Sequence, residues 1–359
     1  MKPWLNELNV RTCFRLMRGG ARFRAHCRET ARTVAVAMLI STLLVAPVTP
    51  AYAQEGAVRV ADLSPEAEQA IDRGLAYLAG SQNEDGSWGG PAHTAVVLMA
   101  FMLKGYFPDP DRPDRHGQRL DRAVQFLLNQ SRQHGGYFGG NMYHHALATL
   151  ALAEAWGMSQ RDEIRDAVKS GVEVILRAQH SSGGWRYQPM PVDHDTSVTA
   201  MVVVALAAAH EAGILVPREV MARATEYLKG RQTEEGGFGY RGPRDPGFAR
   251  SAASTLALQL GGARNDEAVQ NGLRYLMQTD AETAFDNRHF FYAQYYAIQA
   301  MYQAGERPYA QWQPRIHDLL IQRQNDNGSW NAGHGNPFGT AMAILILGVP
   351  YRYLPIYQR

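Results

Sequence analysis

The chain has 359 residues and a formal charge of +2, but residues 1–33 hold eight Lys or Arg against two Glu, so the remainder sits near −4. With no basic run in that remainder, nucleic acid is excluded as a natural partner. Both cysteines, Cys13 and Cys27, fall in the basic stretch. Residues 54–359 therefore have no disulfide, no thiol nucleophile and no thiolate metal ligand.

The basic stretch leads into VAVAMLISTLLVA at 34–46 and then Ala51-Tyr52-Ala53 ahead of Gln54. That order predicts a secretory signal peptide over 1–53 and an exported protein, periplasmic or extracellular. The apolar run is shorter than the roughly 20 residues that span a bilayer. No transmembrane helix is expected in the mature chain, with an uncleaved anchor as the alternative; Met17 is a second candidate start. After a short tether over 54–64, Ser64-Pro65-Glu66 supplies an N-cap, a first-turn proline and an early carboxylate.

From there two kinds of helix alternate. EAEQAIDRGLAYLAGSQ is apolar on one stripe and charged on the other, as a half-exposed helix is. TAVVLMAFMLKG, from near His93, is apolar almost all round and is expected between layers. The pattern returns with amphipathic members such as EIRDAVKSGVEVILRAQ and apolar members such as TAMVVVALAAAHEAG. The units fall near 65–106, 117–157, 163–213, 216–262, 265–305 and 308–349. Aligning the apolar members places Thr94, His145, Thr199, Ser251, Gln294 and Thr340 at equivalent first-turn positions. Gly105, Gly157, Gly213, Gly261 and Gly305 are expected to close the inner helices. No strand pattern of useful length is present.

A short motif joins the two helices of each unit. QNEDGSW at 82–88 is nearly repeated by QNDNGSW at 324–330, and worn forms are QSRQHGGY at 130–137, QHSSGGW at 179–185 and QTEEGGF at 232–238. At Gln278 the motif has decayed to QTDAETAF. A period of 46 to 53 residues between glutamines is the mark of a repeat architecture. Six helix pairs that bury their apolar members by stacking predict an all-α (α/α)6 toroid, a single domain over 65–359. In each motif the glutamine (Gln82, Gln130, Gln179, Gln232, Gln324) can satisfy free backbone groups at a helix end. The glycine, as at Gly86, permits positive φ, and Trp88, Trp185, Phe238 and Trp330 cover the helix junction. These are structural roles.

The alternation and its motif closely resemble the prenyltransferase/squalene-oxidase (QW) repeat of terpene cyclases and protein prenyltransferases, over essentially all of 65–359. The block FFYAQYYAIQAMYQAG and the ending VPYRYLPIYQR look similar to exported repeat proteins of planctomycete bacteria. The resemblance implies a toroid with a central cavity that often accepts lipid. Cyclases of this family that protonate an alkene use the middle acid of a D-x-D-D-T segment. The similar segment here, Val192-Asp193-His194-Asp195-Thr196, has histidine at that position, and an imidazolium is too weak an acid for an alkene. Squalene–hopene cyclases also carry a second barrel, which this length does not accommodate. The zinc site of the prenyltransferases needs a cysteine that the mature chain lacks.

Asp193, His194 and Asp195 remain the catalytic candidates, with Asp195 open to a second role as the N-cap of the following helix. His93, Tyr143, His144, Arg250, His289, Phe291, Tyr292 and Tyr295 are expected at the mouth or wall of the central space, where an apolar cavity has hydroxyls at its rim. No metal-ligand spacing is present, and no cofactor is called for. The expected function is binding of an isoprenoid-like lipid or a protein partner without cyclase or zinc chemistry. The alternative is an enzyme, a divergent terpenoid cyclase or a glycan-active lyase or hydrolase, using Asp193, His194 and Asp195.

Overall fold

The computed structural model describes residues 63–111, 115–279 and 289–351. The expected leader over 1–53, most of the tether and the decayed turn after Thr279 lie outside them. The described residues form twelve α-helices, which fall into six pairs. The first members are α1 (Pro65–Gly80), α3 (Arg115–Gln133), α5 (Asp162–Arg177), α7 (Arg218–Lys229), α9 (Glu267–Gln278) and α11 (Glu306–Gln322). The second members are α2 (Pro91–Met102), α4 (Met142–Ser159), α6 (Thr196–Glu211), α8 (Phe248–Leu258), α10 (Phe290–Ala304) and α12 (Asn336–Leu347). No named strand occurs among the described residues; pairing is limited to the isolated bridges Trp185–Asp195 and Gln232–Phe238.

Hydrophobic patterning sorts these helices into two layers. In α1 only the stripe Ala67, Ala70, Ile71, Gly74, Leu75 and Leu78 is buried, whereas in α6 every residue from Thr196 to Ala209 is. Each second member packs on the next one round the ring, α2 on α4, α4 on α6, α6 on α8, α8 on α10, α10 on α12, and α12 back on α2. Each first member lies outside, against the inner helix of the preceding unit, so that α1 covers α12. The result is a closed (α/α)6 toroid. Such a ring has no end that must be capped, unlike an open solenoid.

The turn motif makes the joints. Gln82 Nε2 donates to the carbonyls of Gly86 (2.8 Å) and Arg119 (3.0 Å), so one side chain ties its own turn to the next outer helix. Gln179 does the same to Gly183 and Val220, and Gln232 to Gly236 and Ala268. Gln324 reaches Gly328 (2.9 Å) and Ala70 (2.8 Å), closing the ring across 254 residues. The indole N–H groups of Trp88, Trp185 and Trp330 each donate to a carbonyl ten residues earlier, at 2.8 Å. Gly183 and Gly328 have φ of +95° and +83°, and a Cβ there would meet the carbonyl oxygens of Arg223 at 2.2 Å and Arg73 at 2.5 Å. Conformation and close approach both demand glycine.

The aligned first-turn positions have one task. The backbone N–H of the motif aromatic is received by Thr94 Oγ1, His145 Nδ1, Thr199 Oγ1, Ser251 Oγ and Thr340 Oγ1 in turn. At the fifth position Gln294 Oε1 instead accepts the indole N–H of Trp312.

Four expectations about the turns and helix ends need correction. Gln130 lies inside α3, which runs on to Gln133, and its side chain makes none of the bonds that the other glutamines make; the two extra residues before Gly136 displace it. Phe138, not Tyr137, is the buried aromatic of that turn. Among the inner-helix ends, Gly157 is interior to α4, which closes at left-handed Gln160, and the positive φ after α8 falls on Gly262 rather than Gly261.

Candidate functional site

All six inner helices enter the ring from the same end, and first-turn or capping residues of each reach one central cavity of about 540 Å³. The wall is built from α2 (His93), α4 (Tyr143, His144, Leu147), α6 (Ser197, Met201), α8 (Arg250), α10 (His289, Phe291, Tyr292) and α12 (Phe338). The volume is in the range of small-molecule sites. Seven of the eight expected binding residues line it: His93, Tyr143, His144, Arg250, His289, Phe291 and Tyr292. Tyr295 does not; it is buried in the helix layer, 5.0 Å ring to ring from Tyr296.

The expectation missed Asn141, Tyr187, Ser197, Met201, Tyr240, His334 and Phe338 on the wall. A signal for part of this set was present. Tyr187, Tyr240 and Ala332 each stand two residues after a motif aromatic, and that offset carries the chain from the buried junction to the rim.

Two polar groups face the cavity from different sides. On one, His93 Nε2 donates to the His334 carbonyl at 2.8 Å, and both rings pack edge-on against Phe338. Burial lowers the His144 pKa, and the neighbouring His93 and His334 lower it further, so its imidazole favours the neutral form. Among the described residues no three His, Cys, Asp or Glu side chains converge to hold a metal ion. On the other side, Arg250 lies over the Tyr240 ring, 5.8 Å from its centroid, and donates through Nη2 to the Asp245 carbonyl at 2.7 Å. Deeper in, burial raises the phenols of Tyr143 and Tyr292 well above the ordinary value, so both remain hydroxyls that donate and accept. Among the described residues the cavity wall holds no Asp or Glu.

The catalytic candidates lie elsewhere. Asp193 is bound by the guanidinium groups of Arg186 and Arg241 and accepts from the His194 N–H at 2.8 Å. That N–H bond and then Arg186 lower its pKa, so it is a charged strut. His194 turns into the helix junction, where its Nδ1 meets the Tyr227 hydroxyl at 2.9 Å and its ring lies 4.8 Å from His180. Burial depresses its pKa, and His180 and the Arg231 guanidinium lower it further. Asp195 caps α6, its Oδ1 accepting from the Val198 N–H at 2.9 Å, and it is fully buried. Burial raises its pKa, partly offset by that bond. Its other oxygen stands 3.3 Å from the Tyr240 hydroxyl and 3.8 Å from Arg186 Nε. Asp193 and Asp195 thus flank Arg186, while the His194 ring turns away toward Tyr227. Asp195 alone borders the cavity, and only through Tyr240.

Comparison with known proteins places this geometry. Over 215 residues the chain is 23% identical to the squalene–hopene cyclase of Zymomonas mobilis, covering 51% of this chain and 32% of that one. The chain spans about a third of the length of the curated relatives it matches. Among solved structures it superposes on the type II terpene cyclase MstE from Scytonema with a TM-score of 0.58 and 18% identity, over 80% of this chain and 99% of that one. A single-residue variant of MstE has also been solved with its substrate geranylgeranyl dihydroxybenzoate (TM-score 0.56, 17% identity). A type II terpene cyclase can thus match a single barrel of this size almost end to end, so the argument from length bears on the squalene–hopene type alone, of which this chain spans about a third. The GH76 α-mannanase BT2949 of Bacteroides thetaiotaomicron has the same architecture, with a TM-score of 0.59 at 10% identity. The profile of the prenyltransferase alpha-alpha toroid domain matches residues 94–289, and the chain belongs to that family.

Proposed function

We propose that this protein is an exported toroid whose central cavity takes an isoprenoid-like ligand and holds it without cyclase or zinc prenyltransferase chemistry. The observation that carries the reading is the cavity itself: about 540 Å³, walled by Leu147, Met201, Phe291, Phe338 and tyrosines, with no carboxylate among its described lining residues. An apolar chain gains roughly 25 cal/mol for each Å² it withdraws from water into such a wall. The MstE complex supports the ligand class at the level of fold. Protonating an alkene needs a strong acid aimed into the cavity, and His194 is neither strong enough nor aimed there.

The test is titration with geranylgeraniol, followed by quenching of intrinsic fluorescence, with mass spectrometry of lipid that copurifies. Saturable binding without conversion is expected from wild type, and Phe291→Ala should weaken it. Absence of saturable binding, or cyclised product from squalene or geranylgeraniol, would overturn the reading. Export is proposed from the leader pattern alone; cell fractionation with N-terminal mass spectrometry should find the chain outside the cytoplasm, starting near Gln54.

One observation favours a second reading, as an enzyme. The buried Asp195 carboxyl, its pKa raised, meets the hydroxyl of a cavity tyrosine. If it acts as an acid through Tyr240, Asp195→Asn and Tyr240→Phe should each abolish turnover of the same substrate. Unchanged turnover in both would remove this reading.

A further inference from the structure

Arg250 occupies the third position of α8, in its first turn. That position is unfavourable for a cation, because the helix macrodipole places about half a positive charge at this end. The helix start adds to the imbalance: its N-cap is Gly247, and no side chain caps it. No described carboxylate lies within ion-pair distance of the guanidinium, although Arg186, Arg241 and Lys229 all have such partners. Arg250 is nevertheless held in place. Nη2 is tied to the Asp245 carbonyl, the Tyr240 ring lies beneath, and a Cβ at Gly247 would fall 2.9 Å from Cζ. Nε is buried with no hydrogen-bond partner among the described residues, and the side chain lines the cavity. Opposite local preferences have thus been kept at one wall position, as happens at functional sites.

We infer that Arg250 and the open start of α8 bind the carboxylate of an amphiphilic acid whose apolar chain fills the cavity. This rests on the cavity reading above and specifies the class of ligand. Charge matching selects a single carboxylate: Arg250 is the one permanent cation among the described wall residues, and a diphosphate would bring about three negative charges to it. Hydrogen-bond donors are also at hand. The buried Tyr292 hydroxyl faces Tyr143 without a well-formed hydrogen bond, and both phenols stay protonated. A carboxylate accepts from phenol and guanidinium alike, and bonds to charged groups contribute more than neutral ones.

The experiment compares probes of equal tail and different head: geranylgeranoic acid against geranylgeraniol, with palmitic acid as the straight-chain acid, at pH 8 and low salt. Wild type should bind geranylgeranoic acid at least about tenfold more tightly than the alcohol. Arg250→Gln should bring the acid down to the alcohol, and Arg250→Lys should retain part of the preference. Thermal midpoints of both variants should stay within a few degrees of wild type. Palmitate binding with the same dependence on Arg250 would support the carboxylate and widen the tail. Equal affinity for acid and alcohol in wild type overturns this inference while leaving the cavity reading intact, as does a preference that survives Arg250→Gln. If none of the probes binds, both readings fall.

Discussion

Asp195 and His145 illustrate how polar side chains in this protein serve the backbone first. Asp195→Ala removes the acceptor for the Val198 N–H and the partner of the Tyr240 hydroxyl. It should cost about 2 kcal/mol in urea unfolding. Asp195→Asn keeps an oxygen for the cap and should cost much less, which makes it the variant for testing chemistry. His145 is fixed as a neutral tautomer, Nδ1 accepting from Phe138 and Nε2 donating to the Gly171 carbonyl at 3.0 Å. Burial lowers its pKa to about 4, the Gly171 contact opposing. The unfolded ring, near 6.5, takes up a proton that the folded ring refuses, so the unfolded state binds more protons between about 4 and 6.5. Stability from this group is complete above pH 6.5 and is lost as pH falls through that window. His145→Gln should flatten the fall in thermal midpoint between pH 7 and pH 5. The alignment of His145 with four threonines and serines was legible in the sequence. Its hydrogen-bonding task was not, because a ring nitrogen and a hydroxyl look alike only once both are seen meeting the same N–H.

Among elements, the turn motif carries the most information about fold and the least about chemistry. Gly328→Ala should cost about 3 kcal/mol or more, since positive φ and the Arg73 carbonyl act together. Gly135→Ala, with φ of +61° and nothing within 4 Å of the added Cβ, should cost about 1 kcal/mol; guanidinium denaturation of both variants checks the contrast. Helix order and layer could be read from periodicity, because burial on one face or on all faces leaves a plain mark on composition, and seven of the wall residues followed from their place near the inner-helix starts. The worn motifs misled where extra residues shift the register, as at Gln130. The segment Asp193-His194-Asp195 attracted attention through its charged residues, yet its side chains are engaged by Arg186, Tyr227 and the α6 backbone. Side-chain direction at a loop-to-helix entry depends on neighbours far away in sequence, which no local pattern encodes.

For the molecule as a whole, closure is carried by α12 on α2, by α11 and α12 on α1, and by Gln324 on Ala70. The two ends of the described ring also meet, Tyr351 donating to Glu68 at 3.3 Å and accepting from Lys104 at 2.9 Å. A circular permutant that joins these ends and opens the chain in the 106–111 loop should fold with the same circular dichroism and a thermal midpoint within several degrees of wild type. Deleting α11 and α12 should instead give an aggregating product, because it bares the apolar faces of α1, α2 and α10 together. Closure has a further effect on how a ligand is exchanged. With every inner helix wedged between two others, a hinge motion of one unit is opposed by both neighbours, which restrains widening of the bore. Traffic into it falls to the side chains at its lip, where the hydroxyls of Tyr187 and Tyr240 are 3.0 Å apart. On the proposed reading a lipid leaves past these two phenols, so Tyr240→Phe should shorten its residence time, as stopped-flow displacement of a bound probe would show.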